Sequence, residues 1–410
     1  MNLFRNFLPK KEKRSSTTTS NSGYSWLFGG TTSSGINVNR KNVMGDSAFW
    51  RSVVILSNAI ASLPWQVFRE DNGQVLRAKD HPIDYLLNKS PNPLYSSFSF
   101  RQALIVQMLT KKKGAFVRII RDEKTAEPIR LDVLQSENVE LFETKELDFY
   151  YMVKGVGVTG QIRTSIAVQP EDMINIKYLT SDGITSIDII ETHRENLGIN
   201  LAATSFAANF FGNGAHVSSV LETDGELDQE QAERLRNQWN QKYGGADNTG
   251  KTAVLESGLK YKKVGLSPDE AMLNDTKKHQ IEEVGRIIGI PAHMLSSMDK
   301  ATFNNIEVMS IEFVKNTLRP LLVMIEQEFN RKLFTQRENR SGNIYCRFNM
   351  DGVMRGATKD RYDAYSIAIQ NKIMNANEVR ALENLNPREG GDIYENPAIQ
   401  VKEPTAPKAD

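Results

Sequence analysis

Ser267-Pro268-Asp269-Glu270 opens a run that closes on Gly289-Ile290-Pro291-Ala292-His293-Met294-Leu295. Serine at a cap position, proline in the first turn and glutamate at the third helical position together make a strong helix start. Ile281, Val284, Gly285 and Ile288 then recur on one side at helical spacing. Proline has no N–H to give, so Ile290-Pro291 breaks the run. The expected order is a helix over 267–289, a loop over 290–303 that begins with the mostly apolar and uncharged Ile290, Pro291, Met294 and Leu295, and a second long helix. Asn304 with Glu307 starts that second helix, which runs through Phe329 and should kink at Pro320.

Working back toward the N-terminus, Ser186 to Phe211 reads as one amphipathic helix. Ile190, Leu197, Leu201 and Ala208 lie on one face over about 38 Å at 1.5 Å per residue. Gly212-Asn213-Gly214 stops it. Val217 to Leu221 is strand-like, and Asp228 with Gln231 caps a helix whose inner stripe is Ala232, Leu235 and Trp239. Ala253 to Val264 reads as a strand pair turning near Gly258. Before Ser181 the character is mixed. Trp50, Val53, Val54, Ser57 and Ile60-Ala61 mark a helix that Leu63-Pro64 ends, and Trp65 to Arg69 alternates as a strand. His81-Pro82 opens a short helix and Phe98 to Leu109 forms another. Phe116 to Ile120, Phe149 to Val153 and Met173 to Lys177 are strand-like. On the C-terminal side a strand covers Asn343 to Met350. Two capped helices follow, Thr358 to Ile373 and Asn375 with Glu378 through Leu385. The fold class is α+β.

Composition narrows the function. The 410 residues carry 51 Lys plus Arg against 50 Asp plus Glu, a formal charge of +1, so no whole-chain basic footprint for gripping nucleic acid exists. Cys346 is the one cysteine, which excludes an internal disulfide framework and a multi-cysteine zinc site. No apolar run nears the roughly 20 residues of a membrane span, and Met1 to Lys13 lacks the apolar core of a secretory signal. A soluble protein of intracellular origin is expected, with no membrane partner. Residues 1–40 hold six basic residues against Glu12 and then a Ser/Thr/Asn/Gly stretch. That composition reads as a flexible basic arm. The polar, proline-containing residues 391–410 read as a flexible tail.

Two glycine motifs suggest nucleotides. Gly245-Ala246-Asp247-Asn248-Thr249-Gly250-Lys251-Thr252 fits the phosphate-loop pattern. That chemistry needs a strand entering and a helix leaving, so that helix amides face the phosphates. Here a helix enters and Ala253 to Leu255 is expected to leave as a strand, which reverses the polarity. Gly155 to Gly160 fits the dinucleotide fingerprint, but β-branched residues rather than a helical stripe follow it. The five histidines show no metal-ligand spacing, and His279 near Glu282 and Glu283 reads as a surface ion pair. No catalytic residue, metal site or cofactor is expected.

Taken in order, these segments resemble the portal proteins of tailed bacteriophages, in particular the Hong-Kong-phage-type family. The likeness rests on Trp50-Arg51-Ser52-Val53 through Ile60-Ala61-Ser62-Leu63-Pro64, His81-Pro82 with Leu86-Leu87 and Pro91-Asn92, and Asn209-Phe210-Phe211-Gly212-Asn213-Gly214-Ala215. It continues through Val254-Leu255-Glu256-Ser257-Gly258, Gly289 to Leu295, Asn305-Ile306-Glu307, Leu318-Arg319-Pro320, Ile325-Glu326 and Asn377-Glu378-Val379-Arg380, spanning roughly 45–395. Lys111-Lys112-Lys113-Gly114-Ala115 departs from it, standing where relatives carry an apolar run.

The resemblance implies a ring subunit with wing, helical stem, small α/β clip and helical crown. The wing would be 41–183 plus 304–356, the stem helices 184–212 and 267–289, the clip 213–266 and the crown 357–390. Residues 290–303 would be a tunnel loop, with Ile290, Pro291, Ala292, His293, Met294 and Leu295 toward DNA. Asp269, Glu270, Asp275, Glu282 and Glu283 would line an acidic channel. Gln238, Gln241, Lys242, Asp247 and Asn248 would offer docking positions on the clip. The implied partners are identical copies in a dodecameric ring, double-stranded DNA, terminase, the major capsid protein or scaffold, and a head–tail adaptor. The implied location is the virion vertex, and the host cytoplasm during assembly. Alternatives are a nucleotide-driven motor using Gly245 to Thr252, or another virion structural or adaptor protein.

Overall fold

The computed structural model describes residues 32–71, 74–145, 148–156, 162–212, 219–223, 225–243, 254–255, 258–263, 273–295, 309–350, 358–383 and 385–394. The chain divides into two compact units. One joins the N-terminal residues through Val43 to Arg194–Gly265, and the other joins Met44–His193 to Leu266–Asp410.

The larger unit is built around Trp65. The division between the units falls at the last residue of helix α1 (Arg40–Met44), and the larger unit goes on with α2 (Ser47–Ser62), whose cap Asp46 accepts a hydrogen bond from the Phe49 N–H at 2.9 Å. Phe49, Val53, Leu56 and Ile60 are buried at steps of four, three and four, the spacing of one helical face. Trp50, expected in that stripe, is 52% exposed and Phe49 takes the inward place, while Val53, Ser57, Ile60 and Ala61 are buried as expected. Strand β1 (Trp65–Asp71) pairs antiparallel with β2 (Gln74–Arg77) on one side. Its other neighbour is β11 (Ile344–Phe348), with Trp65 opposite Phe348 and Val67 opposite Cys346. Alternation therefore aims Trp65, Val67, Cys346 and Phe348 at the core. The Trp65 ring stacks on Phe348 at 4.3 Å and tilts against Phe329 at 4.5 Å. Cys346 is a buried free thiol, as its strand position suggested, and burial pushes its pKa up.

Helices α3 (Pro82–Asn88) and α4 (Ser97–Thr110) add Ile83, Leu87, Phe100, Leu104, Ile105 and Met108 to this core. Strands β3 (Ala115–Arg121) and β4 (Pro128–Leu134) form an antiparallel sheet in the order β4-β3-β8 with β8 (Met173–Ile176). A further sheet has the order β5-β6-β7, from β5 (Val139–Glu143), β6 (Phe149–Val156) and β7 (Ile162–Val168). The dinucleotide lookalike thus joins two antiparallel strands, with no helix behind it. The unexpected Lys111-Lys112-Lys113-Gly114 is the turn from α4 into β3, where Gly114 sits at φ 77° and Lys113 donates to the Val139 carbonyl at 2.7 Å.

The smaller unit corrects the reading of 186–211. The helix begins at Ile189, and α5 (Ile189–Thr192) closes at His193, whose N–H turns back to Ile189 O. Arg194 then starts α6 (Arg194–Gly212), and the division between the units falls at that same step. The inner stripe of α6 is Leu197, Asn200, Ala203 and Ala207, while Ala208 is exposed and Leu201 half-buried. The basic arm is shorter than expected, because Thr32 and Val38 are buried. A Cβ on Gly198 would stand 2.6 Å from Thr32, so only glycine lets that residue lie on α6.

Strand β9 (Ser219–Glu222) pairs with β10 (Lys260–Lys263), not with a neighbour across Gly258. Val254 and Leu255 are not strand, so the hairpin expected over 253–264 is absent from the described residues. The tail also starts later. After α10 (Gln336–Ser341), α11 (Thr358–Gln370) and α12 (Ala376–Leu382), residues 385–394 are held to α12. Arg388 N–H donates to Asn377 Oδ1 at 2.8 Å, and Asn377 Nδ2 donates to Asp392 at 2.9 Å. The α+β class holds. No helix among the described residues is long and apolar enough to cross a membrane.

Candidate channel segment and docking helix

Helix α8 (Leu273–Ile288) ends as the sequence predicts, and the ending positions the segment beyond it. Gly289 takes φ 79°, and Ile290 N–H reaches back to Gly285 O at 2.8 Å, the six-to-one bond of a Schellman cap. Because the chain folds over the helix end, a Cβ on Gly285 would meet Ile290 O at 2.7 Å and Leu295 Cδ1 at 3.1 Å. The capped end is clamped from two further places. Thr317 Oγ1 donates to Gly289 O at 2.7 Å, and the Tyr178 hydroxyl donates to Ile288 O at 3.3 Å. Residues 292–295 then make one 3-10 turn.

Thr317 belongs to a π-helical stretch, Phe313–Leu318, that runs into α9 (Arg319–Leu333). Pro320 was expected to interrupt this helix. The irregularity lies in the turn before it, where the missing Pro320 N–H frees a carbonyl and a wider helical turn is accommodated. A cavity of about 410 Å³ lies here, bordered by Glu282, Arg286, Pro291, Glu312 and Thr317.

Of the tunnel-loop residues, Ile290 and Leu295 are buried in the core, so neither side chain reaches a surface. Pro291, Ala292, His293 and Met294 are half-buried. Both ring nitrogens of His293 are enclosed without a hydrogen-bond partner among the described residues. Of the acidic candidates, Asp275 is exposed. Glu283 pairs with Arg286 and, at 3.8 Å, with His279, which is the ion pair expected for that histidine. Glu282 stands 4.0 Å from Arg286. Across α8 the acids Asp275, Glu282 and Glu283 meet Lys277, Lys278 and Arg286, an even balance. The acidic excess read for 267–289 therefore rests on Asp269 and Glu270, which lie outside the described residues.

In the smaller unit, α7 (Gln229–Tyr243) opens with the expected cap. Gln231 N–H donates to Asp228 Oδ1 at 2.7 Å, and Asp228 N–H returns to Gln231 Oε1 at 3.3 Å. Its stripe of Ala232, Leu235 and Trp239 is half-buried, with Trp239 stacked on Tyr261 at 6.1 Å and tilted on Tyr243 at 4.7 Å. Gln238, Gln241 and Lys242 are exposed on this helix. Asp247, Asn248 and the whole of Gly245 to Thr252 lie outside the described residues. The strand expected to leave that motif is not formed at Val254 and Leu255, so the polarity argument loses its strand; the entering helix remains.

The sequence reading missed a cleft of about 1000 Å³ in the larger unit. Lys332 lies on its floor, 8% exposed, donating to Glu328 at 2.8 Å and to Met173 O. Burial drives the pKa of Lys332 down, as it does for Lys177 on the same cleft. A lysine between Phe329 and Leu333 on an apolar helical stripe was the available signal. No group of His, Cys, Asp and Glu suited to hold a metal ion occurs among the described residues.

The phage portal protein family model matches residues 47–384. The probable portal protein of Streptomyces phage phiC31 is 29% identical over 380 residues, 89% of this chain and 80% of that protein. The portal protein of Enterobacteria phage HK97 is 25% identical, over 87% of this chain and 82% of its own length. Among solved structures, the neck of a native gene transfer agent particle, computed with C12 symmetry, contains a chain of similar fold. The TM-score is 0.57 at 21% identity, covering 85% of this chain and 92% of that one.

Proposed function

Because the chain belongs to the phage portal protein family, we propose that identical copies form a twelve-fold ring at one capsid vertex. Double-stranded DNA enters through its pore during packaging and leaves through it during ejection. Terminase and later the head–tail adaptor dock on one end, and the major capsid protein or scaffold surrounds the ring. It resides in the virion after assembly in the host cytoplasm. Its role is structural: the energy for DNA movement comes from partners, and the chain itself catalyses no reaction. The observation that carries this reading is the match across 47–384, which takes in most of the larger unit and all of Arg194–Gly265 in the smaller one.

Residues 194–265 group into one unit with the N-terminal residues, which supports assigning α6 to the stem and the β9–β10 element with α7 to the clip. The wing then comprises 41–183 with 304–356, the second stem helix 267–289, and the crown 357–390. Pro291, Ala292, His293 and Met294 face DNA from the tunnel loop, while Ile290 and Leu295 anchor it. Each phosphate that a protein neutralises adds about −0.9 to its salt slope and strengthens binding. The even charge of α8, with Asp269 and Glu270 ahead of it, suits a wall that DNA slides past. Gln238, Gln241 and Lys242, with Asp247 and Asn248, supply the clip's docking surface. Negative-stain images of the purified full chain should show closed rings with a through-pore. Monomers only, or pore-less particles, would refute the ring.

A further inference from the structure

The cleft in the larger unit is an incomplete site. Asn175, on edge strand β8, is 8% exposed, and its Oδ1 has no hydrogen-bond partner among the described residues. Lys177 lies two residues on, hence on the same side of the extended chain; it has no contact-distance ion pair or hydrogen bond among the described residues, although Glu328 on the same cleft attracts its charge. Tyr151 lines the same cleft, its hydroxyl without a hydrogen bond among the described residues, and burial raises its pKa. Leu141, Phe149 and Ile184 on the rim are each about two-fifths exposed or more. A buried acceptor, a desolvated cation and an apolar rim match a polypeptide bearing a carboxylate. Its N–H serves Asn175, its carboxylate Lys177, and its apolar side chains the rim. The lining is mixed in sign, with Arg121, Lys177, Arg331 and Lys332 against Asp148, Glu171 and Glu328, so it does not suit a phosphate track.

The same chain carries the complementary chemistry. Every residue of β2 is exposed, and Val75 and Leu76 are more than half exposed on this outer strand. Glu70 and Asp71, exposed at the end of β1, make no ion pair among the described residues. An uncovered edge strand with apolar side chains is a surface that proteins ordinarily cover. In a closed ring every contact is heterologous, so each copy carries both an inserting face and a receiving one. We propose that the β1–β2 hairpin of one copy inserts into the Asn175–Lys177 cleft of its neighbour. This rests on the ring reading and names one of its contacts.

The test uses full-length chain, half of it ¹⁵N-labelled, with Phe149 replaced by the photocrosslinking residue p-benzoylphenylalanine. After irradiation, mass spectrometry should find mixed-isotope crosslinks joining position 149 to residues 69–77. Lys177→Glu should lower that yield about fivefold, and Glu70→Lys with Asp71→Lys in the partner copy should restore it. Melting curves of each variant check that folding is intact, and Tyr151→Phe serves as a milder second probe. Crosslinks within one copy, to another segment, or none at all overturn the proposal. Rings in micrographs without the crosslink sink the contact and leave the ring standing. The crosslink without closed rings supports the contact and tells against the ring.

Discussion

Gly114 shows how a single residue decides whether two elements can meet. It turns α4 into β3 at φ 77°, and a Cβ there would fall inside the contact distance of the Ile176 carbonyl. Side chains rarely adopt that backbone conformation, and here backbone rather than a flexible tip blocks the space. Gly114→Ala should cost about 3 kcal/mol, read as a lower urea midpoint at unchanged slope. An undisturbed midpoint would remove this account. The carboxylate of Glu338 offers a second test. Burial works against its charged form. Hydrogen bonds from the Thr335 N–H and hydroxyl, both 2.8 Å, and from His81 at 3.2 Å outweigh that and hold it below its ordinary range. A depressed carboxylate stabilises the fold above its unfolded pKa and ceases to as pH falls through the folded one. Glu338→Gln should therefore lower stability near neutrality and differ little from the native chain in acid, so that stability falls less steeply below about pH 4.5 in acid unfolding curves.

At the scale of elements, helix ends carried most of the legible information. The caps at Asp228 and Asn375 are local hydrogen bonds between residues three apart. A sequence states them outright. On α2 the stripe held at Val53, Ser57, Ile60 and Ala61 but not at Trp50, because Phe49 and Trp50 fit the spacing equally well and only packing chooses between them. The break at His193 was missed for a related reason: an apolar stripe continues through it, so periodicity does not register it. The clamp of Thr317 on Gly289 joins residues 28 apart and had no local signature. Thr317→Val and Gly289→Ala should each destabilise by about 1–2 kcal/mol. Because the two share one contact, a double-mutant cycle should show a coupling of at least ~0.5 kcal/mol. Strict additivity would mean that the clamp does not fix the segment after α8.

For the whole molecule, the question is whether the chain works as a conduit or a motor. As a structural ring it has no need of the phosphate-loop lookalike. Lys251→Ala should leave DNA packaging in a complementation assay unchanged, and the purified chain should hydrolyse no ATP. Loss of packaging with an intact ring would favour the motor. Ring closure and the cleft contact belong to this scale too, since each requires surfaces that one copy leaves uncovered.

Sequence alone settled the class, most of the element order, the caps at Asp228 and Asn375 and the family, because these depend on neighbours along the chain and on residues kept in order over some 350 positions. It also placed Cys346 in a buried strand and α8's end at Gly289. Tertiary structure alone decided that Ile290 and Leu295 are core, that β9 pairs with β10, and that Lys332, Lys177 and Asn175 gather around one cleft. Burial and distant pairing depend on which surfaces meet, and that is set by the packing of elements far apart in the chain rather than by any local pattern.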